Sequence, residues 1–215
     1  MKLVLFDCDG TLVDSAGVIH DCMKRTFADA GLALPTDADT RQIIGLSLNV
    51  AIERLLAGRG FADIPGLVAL YKDHFLSMRG RPDFHEALFE GISPMLEEMH
   101  RRDDLLLGMV TGKSRRGVSA VVATHRLDDL FVVVRTADDC PSKPNPEMVL
   151  ECCAETGIEP AETVVIGDTA YDMEMALSAG ARAIGVSWGY HDSERLLAAG
   201  AVEILRTPGE LTELI

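Results

Sequence analysis

Apolar and polar positions along the chain follow two rhythms. Leu3, Val4, Leu5 and Phe6 run without interruption into Asp7, Cys8, Asp9, Gly10 and Thr11, and then Leu12, Val13, Asp14 and Ser15. Four consecutive apolar residues suit a strand covered on both faces, as in a parallel sheet, and the glycine permits a sharp exit that turns the following groups back toward the strand end. Similar apolar runs recur at Leu105 to Val110 before Thr111, Gly112 and Lys113, at Phe131 to Val134, at Thr163 to Ile166 before Gly167, Asp168 and Thr169, and at Ala183 to Val186. Each predicts a short buried strand.

Residues 15–79 change to a helical spacing. Val18, Ile19, Cys22, Met23, Thr26, Phe27 and Ala30 keep an i, i+3, i+4 stripe that Gly31 stops. Leu48, Ala51, Ile52, Leu55 and Leu56 repeat it behind Ser47 as N-cap, and Leu67, Leu70, Tyr71, Phe75 and Met78 follow an opening at Asp63 and Pro65. No strand pattern interrupts them. The spacing predicts a helical cap domain over 15–79, set into a core made of 1–14 and 80–215, with a polar return through Arg79, Gly80, Arg81, Pro82 and Asp83. In the core, helices are predicted from Ser93 and Pro94, after Ser114, from Asn145 through Glu147 to Gly157, before Gly180 and from Ser193. Short apolar strands alternating with helices define an α/β class, a Rossmann-like parallel sheet with right-handed crossovers. Chemistry in such sheets gathers at the carboxyl ends of the strands.

Composition narrows the function classes. The 215 residues can bury a sizeable core. A net charge of -14, from 34 acidic against 20 basic residues, disfavours nucleic acid and anionic membrane as partners. An anionic substrate must then be drawn by local positive charge. No apolar run reaches spanning length and the N-terminus carries no signal-peptide pattern, so the expected location is cytoplasmic. The five cysteines, Cys8, Cys22, Cys140, Cys152 and Cys153, lack metal-ligand spacing and are expected to be reduced and structural. Cys8, between two aspartates, is read as a small apolar filler.

The polar residues at the strand ends supply the chemistry. Asp7 and Asp9 aim two carboxylates at one region, which favours a shared proton or a hard cation such as Mg2+. Thr111 offers a hydroxyl and Gly112 an amide near a helix start. Lys143 stands among Pro141, Pro144 and Pro146, and Asp168 is followed four residues on by Asp172. Asp14 and Ser15 read as a hinge or helix cap. Gly45 follows a helical turn in the insert, and the six histidines have no ligand-spaced partners.

Taken together, Asp7-Cys8-Asp9-Gly10-Thr11, Thr111, Lys143 and Asp168 with Asp172 resemble the motif set of the haloacid dehalogenase superfamily, in its phosphoglycolate phosphatase-like branch. The segment Gly185 to Tyr190 and the run Val110 to Lys113 carry the branch-level likeness. The resemblance implies a magnesium-dependent phosphatase acting through an aspartyl phosphate. Asp7 would be nucleophile and metal ligand, and Asp9 acid and base with its carbonyl on the metal. Asp168 would ligate the metal, with Asp172 behind a metal-bound water. Thr111 and Lys143 would stabilise the phosphate. Gly10, Thr11, Thr111, Gly112, Lys143 and the cap residue Gly45 form the expected substrate-binding set. The substrate is expected to be a small phosphorylated metabolite, with 2-phosphoglycolate foremost, and the protein a monomer or homodimer. The alternatives on the same core are a β-phosphoglucomutase-like phosphomutase and a pyrophosphatase or other sugar-phosphate phosphatase. Outside enzymes stand a phosphoacceptor domain and an inactive interaction module.

Overall fold

Lys2–Phe6 (β1) lies in the middle of a six-stranded parallel sheet, hydrogen-bonded on both sides, as its uninterrupted apolar run requires. The computed structural model describes residues 1–58, 63–81 and 84–215. The other strands in chain order are the short Val13–Asp14 (β2) and Ala87–Leu88 (β3), then Leu105–Val110 (β4), Val133–Arg135 (β5), Thr163–Gly167 (β6), Arg182–Val186 (β7) and Glu203–Leu205 (β8). The main sheet runs β5-β4-β1-β6-β7-β8, so the chain builds outward on one side of β1 and then crosses to the other. That reversal opens a crevice at the carboxyl end of β1.

The pleat sends alternate residues of β1 to opposite faces. Val4 and Phe6 join Leu107, Met109, Val164 and Ile166 against Ile92–His100 (α5) and Arg115–His125 (α6). Leu3 and Leu5 join Val110 and Val165 against Glu147–Thr156 (α7) and Ala170–Ala179 (α8). Both faces are therefore covered, and the α/β, Rossmann-like expectation holds. All five cysteines are free and buried, and burial pushes the Cys8 thiol well up from its ordinary range, which suits a filler.

Between β2 and β3 come Ala16–Asp29 (α1), Asp37–Arg41 (α2), Leu48–Leu55 (α3) and Ile64–Arg79 (α4). Their apolar stripes meet in a separate cluster around Cys22, Phe27, Ile52, Leu67 and Tyr71. Asp63 caps α4 by accepting from the Gly66 amide at 2.9 Å. The predicted return linker is described through Arg81; Pro82 and Asp83 lie outside the described residues. No helix among the described residues is long and apolar enough to cross a membrane.

Several boundaries differ from expectation. β2 and β3 pair antiparallel where the chain leaves and rejoins the sheet, a contact two residues long that no periodicity can announce. β5 starts at Val133 because Phe131 turns inward and meets Phe6 edge-on, 6.4 Å between ring centroids. α5 starts at Ile92 behind Gly91, one residue before the expected Ser93. β8 and the helix Gly209–Leu214 complete the chain.

Candidate active site

The strand ladder carries Asp7 to the carboxyl edge of the sheet, where its amide still donates to Ile166 O at 2.9 Å. Its side chain is fully buried. Lys143 donates from Nζ to Asp7 Oδ1 and to Asp172 Oδ1, both at 2.6 Å, and it too is out of water. Asp172 Oδ2 accepts from the amide and hydroxyl of Thr169, at 3.0 and 2.7 Å, as part of a capping box that starts α8. Asp168 is equally fixed: Oδ1 accepts from Thr11 Oγ1 and Oδ2 from the Tyr190 amide, each at 2.9 Å.

One oxygen each from Asp7, Asp168 and Asp172 lies within 4.8 Å of the others. Three carboxylates thus share one region, in which a single ammonium pairs with two of them, Asp7 and Asp172. Burial, with Asp172 and Asp9 as like charges, pushes Asp7 up to about 7 against the pull of Lys143. Burial and Asp7 likewise raise Asp168 well above the usual carboxylate range. Asp7 Oδ2 is buried without a hydrogen-bond partner among the described residues. An orphaned oxygen in an all-oxygen, over-negative cluster is what a hard divalent cation fits. Gly10 allows this packing: at φ +96° it turns under Asp168, and a Cβ there would lie 2.2 Å from Asp168 Oδ2.

Asp9 diverges from Asp7, so the two carboxylates expected in one region part at the glycine turn. Its Oδ1 accepts from Lys113 Nζ at 2.7 Å, and the same ammonium reaches Glu86 Oε1 at 2.8 Å. Asp9, Thr111, Gly112 and Lys113 face a cavity of about 520 Å³ between the sheet and the helices of the insert. Gly45 and Leu46 close over this edge so tightly that a Cβ on Gly112 would lie 2.4 Å from Gly45 O. The Ser47 amide, next in the chain, donates to Ser142 Oγ at 2.9 Å, beside Lys143. Tyr171, on α8, donates to Gln42 O at 2.7 Å and accepts from Arg54.

The structure gathers Asp7, Lys143, Asp168 and Asp172 in one cluster and sets Asp9, Thr111, Gly112 and Gly45 along the adjoining cavity. Thr11, expected at the phosphate, instead spends its hydroxyl on Asp168. Thr111 Oγ1 accepts from the Lys113 amide at 3.2 Å. Asp14 is exposed, while the amides of Ser15 and Ala16 donate to Tyr190 Oη at 3.0 Å each. Sequence reasoning missed Tyr190, Glu86 and the commitment of Lys113 to Asp9. The position of Lys113, directly after a strand-end Thr-Gly pair, was the available signal; for Glu86 there was none.

A doubly wound sheet that concentrates aspartates and one buried lysine at its switch point defines a class of α/β enzymes working through carboxylates. Sequence similarity narrows it: the family of haloacid dehalogenase-like hydrolases matches residues 4–186, and the chain belongs to that family. The probable phosphatase IndB of Dickeya dadantii is 31% identical over 215 residues, covering 97% of this chain and 91% of that protein. A phosphoglycolate phosphatase of Synechococcus elongatus is 28% identical over 219 residues, covering 100% and 97%. A solved haloacid dehalogenase-like hydrolase from Streptococcus pneumoniae shares the fold, with a TM-score of 0.83 at 22% identity over 100% of this chain and 98% of that one.

Proposed function

We propose that the protein is a magnesium-dependent phosphatase of small phosphate monoesters, with 2-phosphoglycolate the first substrate to test. The carrying observation is the buried cluster in which Asp7 keeps one oxygen without a partner while Asp9 faces the cavity. The sequence likeness to a named phosphoglycolate phosphatase supports the substrate. In this reading residues 15–79 act as the cap, and 1–14 with 80–215 as the core.

Hydrolysis of a phosphate monoester needs acceleration by roughly ten to twenty powers of ten. Mg2+ held by Asp7, Asp168 and the Asp9 carbonyl would supply charge neutralisation at the phosphoryl oxygens. An Asp7 oxygen attacks phosphorus, and the ester oxygen leaves with its electron pair as it takes a proton from Asp9. Asp9, now a carboxylate, removes a proton from water; that water attacks phosphorus, and the bond to Asp7 breaks to release phosphate. Lys143, fixed by Asp172, orients Asp7 and offsets charge on the phosphoryl group. Thr111 and the Gly112 amide line the cavity where phosphate oxygens would sit.

Phosphate release from 2-phosphoglycolate and from p-nitrophenyl phosphate, with and without magnesium, tests the reading. Asp7→Asn is expected to lower kcat by at least about a thousandfold. Activity that survives that substitution, or no release from any small ester, would sink it.

A further inference from the structure

The cavity above Asp9 is larger and more basic than a two-carbon ester requires. At about 520 Å³ it falls in the range that encloses drug-sized ligands, about 300–1,000 Å³. Much of its lining is apolar, with Met23, Ile43, Leu48, Val68 and Phe75 contributed by the insert. Its charged lining is Lys72, Arg79, Lys113 and Arg116 against Asp9 and Asp138. In a chain of net charge -14, that local excess of cations stands against the global field.

These cations are not equivalent. Lys113 Nζ is already engaged by Asp9 and Glu86, and Lys72 and Arg116 are exposed. Arg79 is half-buried at the last turn of α4, its guanidinium carbon 5.2 Å from the centroid of the Phe75 ring. Lys113 Nζ is 5.6 Å from the same ring, so Phe75 touches both the cation beside Asp9 and Arg79. Nε and Nη2 of Arg79 are out of water and have no hydrogen-bond partner among the described residues. Enclosed as they are, those two donors reach a ligand once the side chain turns toward the cavity it lines, which would relieve their cost, and a planar guanidinium is suited to a carboxylate.

We propose that Arg79 is a distal anion subsite, and that the preferred substrates are phosphate monoesters whose leaving group has an apolar middle and a terminal carboxylate. 2-Phosphoglycolate is then the shortest member of the class, and the cavity accommodates longer ones. The inference rests on the phosphatase reading of the site.

The test measures calorimetric binding to the Asp7→Asn protein, in magnesium buffer, of 6-phosphonooxyhexanoate and its carboxamide, with hydrolysis by the wild type measured in parallel. The acid is expected to bind about 10- to 100-fold more tightly than the amide, the worth of one charge-assisted contact. Adding Arg79→Gln should collapse that gap and leave amide binding unchanged. Arg79→Lys, which keeps the charge, should retain part of it. Equal affinities in the parent, a gap that survives Arg79→Gln, or an equal loss for both probes would overturn the subsite, the last by showing a purely structural role. An acid-amide gap with no phosphate release by the wild type from these probes, 2-phosphoglycolate or p-nitrophenyl phosphate would sustain the subsite and remove the phosphatase reading; hydrolysis without the gap would do the reverse.

Discussion

The ammonium of Lys143 is fully out of water, with Asp7 and Asp172 each 2.6 Å away. Removing one member of a buried ion cluster leaves charge uncompensated and costs about 3–5 kcal/mol, more than the cluster is worth against apolar residues. Lys143→Met is therefore expected to lower unfolding free energy by about that amount and to abolish turnover. Adding Asp172→Asn relieves part of the uncompensated charge, so the double variant should lose less than the sum of the singles. Urea denaturation of the set measures this, and strictly additive costs would show that Asp172 does not share the ammonium. Asp7 and Asp168 were legible in the sequence because each stands just after an apolar strand, Asp172 because it follows Asp168 by four residues, and Lys143 because it sits among the prolines of a loop. Tyr190 was not, since its hydroxyl serves amides 174 and 175 residues away, a register no local pattern encodes. Arg79 was read as linker because a single cation at a helix end is ordinarily solvated; only the fold shows that its guanidinium turns against Phe75.

At the scale of elements, the buried strands β1, β4 and β6 were legible because sheet residues covered on both faces must be apolar throughout. The insert helices were legible from their stripes, which close on each other around Phe27, Ile52 and Leu67. Two-residue strands and the edge strand β8 carry too little periodicity to be seen. The same limit hid the contact that anchors the start of the insert. The loop after β7 brings Tyr190 Oη to the amides that open α1, donors that a helix start cannot satisfy internally. Tyr190→Phe removes that acceptor and leaves the amides of buried Ser15 and Ala16 without it, at a cost of about 1–3 kcal/mol. Loosening the start of α1 should raise KM several-fold for the substrates of the proposed reaction. The magnesium requirement should stay unchanged, since Asp168 is held by the Tyr190 amide rather than by its hydroxyl. A shifted magnesium requirement with KM untouched would contradict an anchoring role.

Across the whole molecule the same acids that make the site also strain it. The chain carries a net charge of -14, and its most enclosed carboxylates face one lysine. Asp7 is pushed up from 3.8 to about 7, chiefly by burial. Between those values the folded state holds a proton that the unfolded state has released, so this contribution is present below about pH 4 and lost as pH climbs through 7. His191 acts in the opposite sense: burial and Arg195 push it down from 6.5 to about 4, so its contribution is present above 6.5 and lost as pH falls toward 4. Because the two oppose each other in mildly acidic buffer, a simple Tm-against-pH curve would blur both. The magnesium increment isolates the raised carboxylates of the cluster, Asp7 and Asp168. A cation and a proton compete for the same oxygens, so the rise in Tm on adding magnesium should be small near about pH 5 and grow to its full size by about pH 8. His191 cancels from that difference. Diffuse attraction of magnesium to an acidic surface would instead vary little over this range and fade with added salt. The increment should survive salt in the wild type and vanish in Asp7→Asn; an increment independent of pH, or equal in the variant, would place the ion elsewhere on the surface.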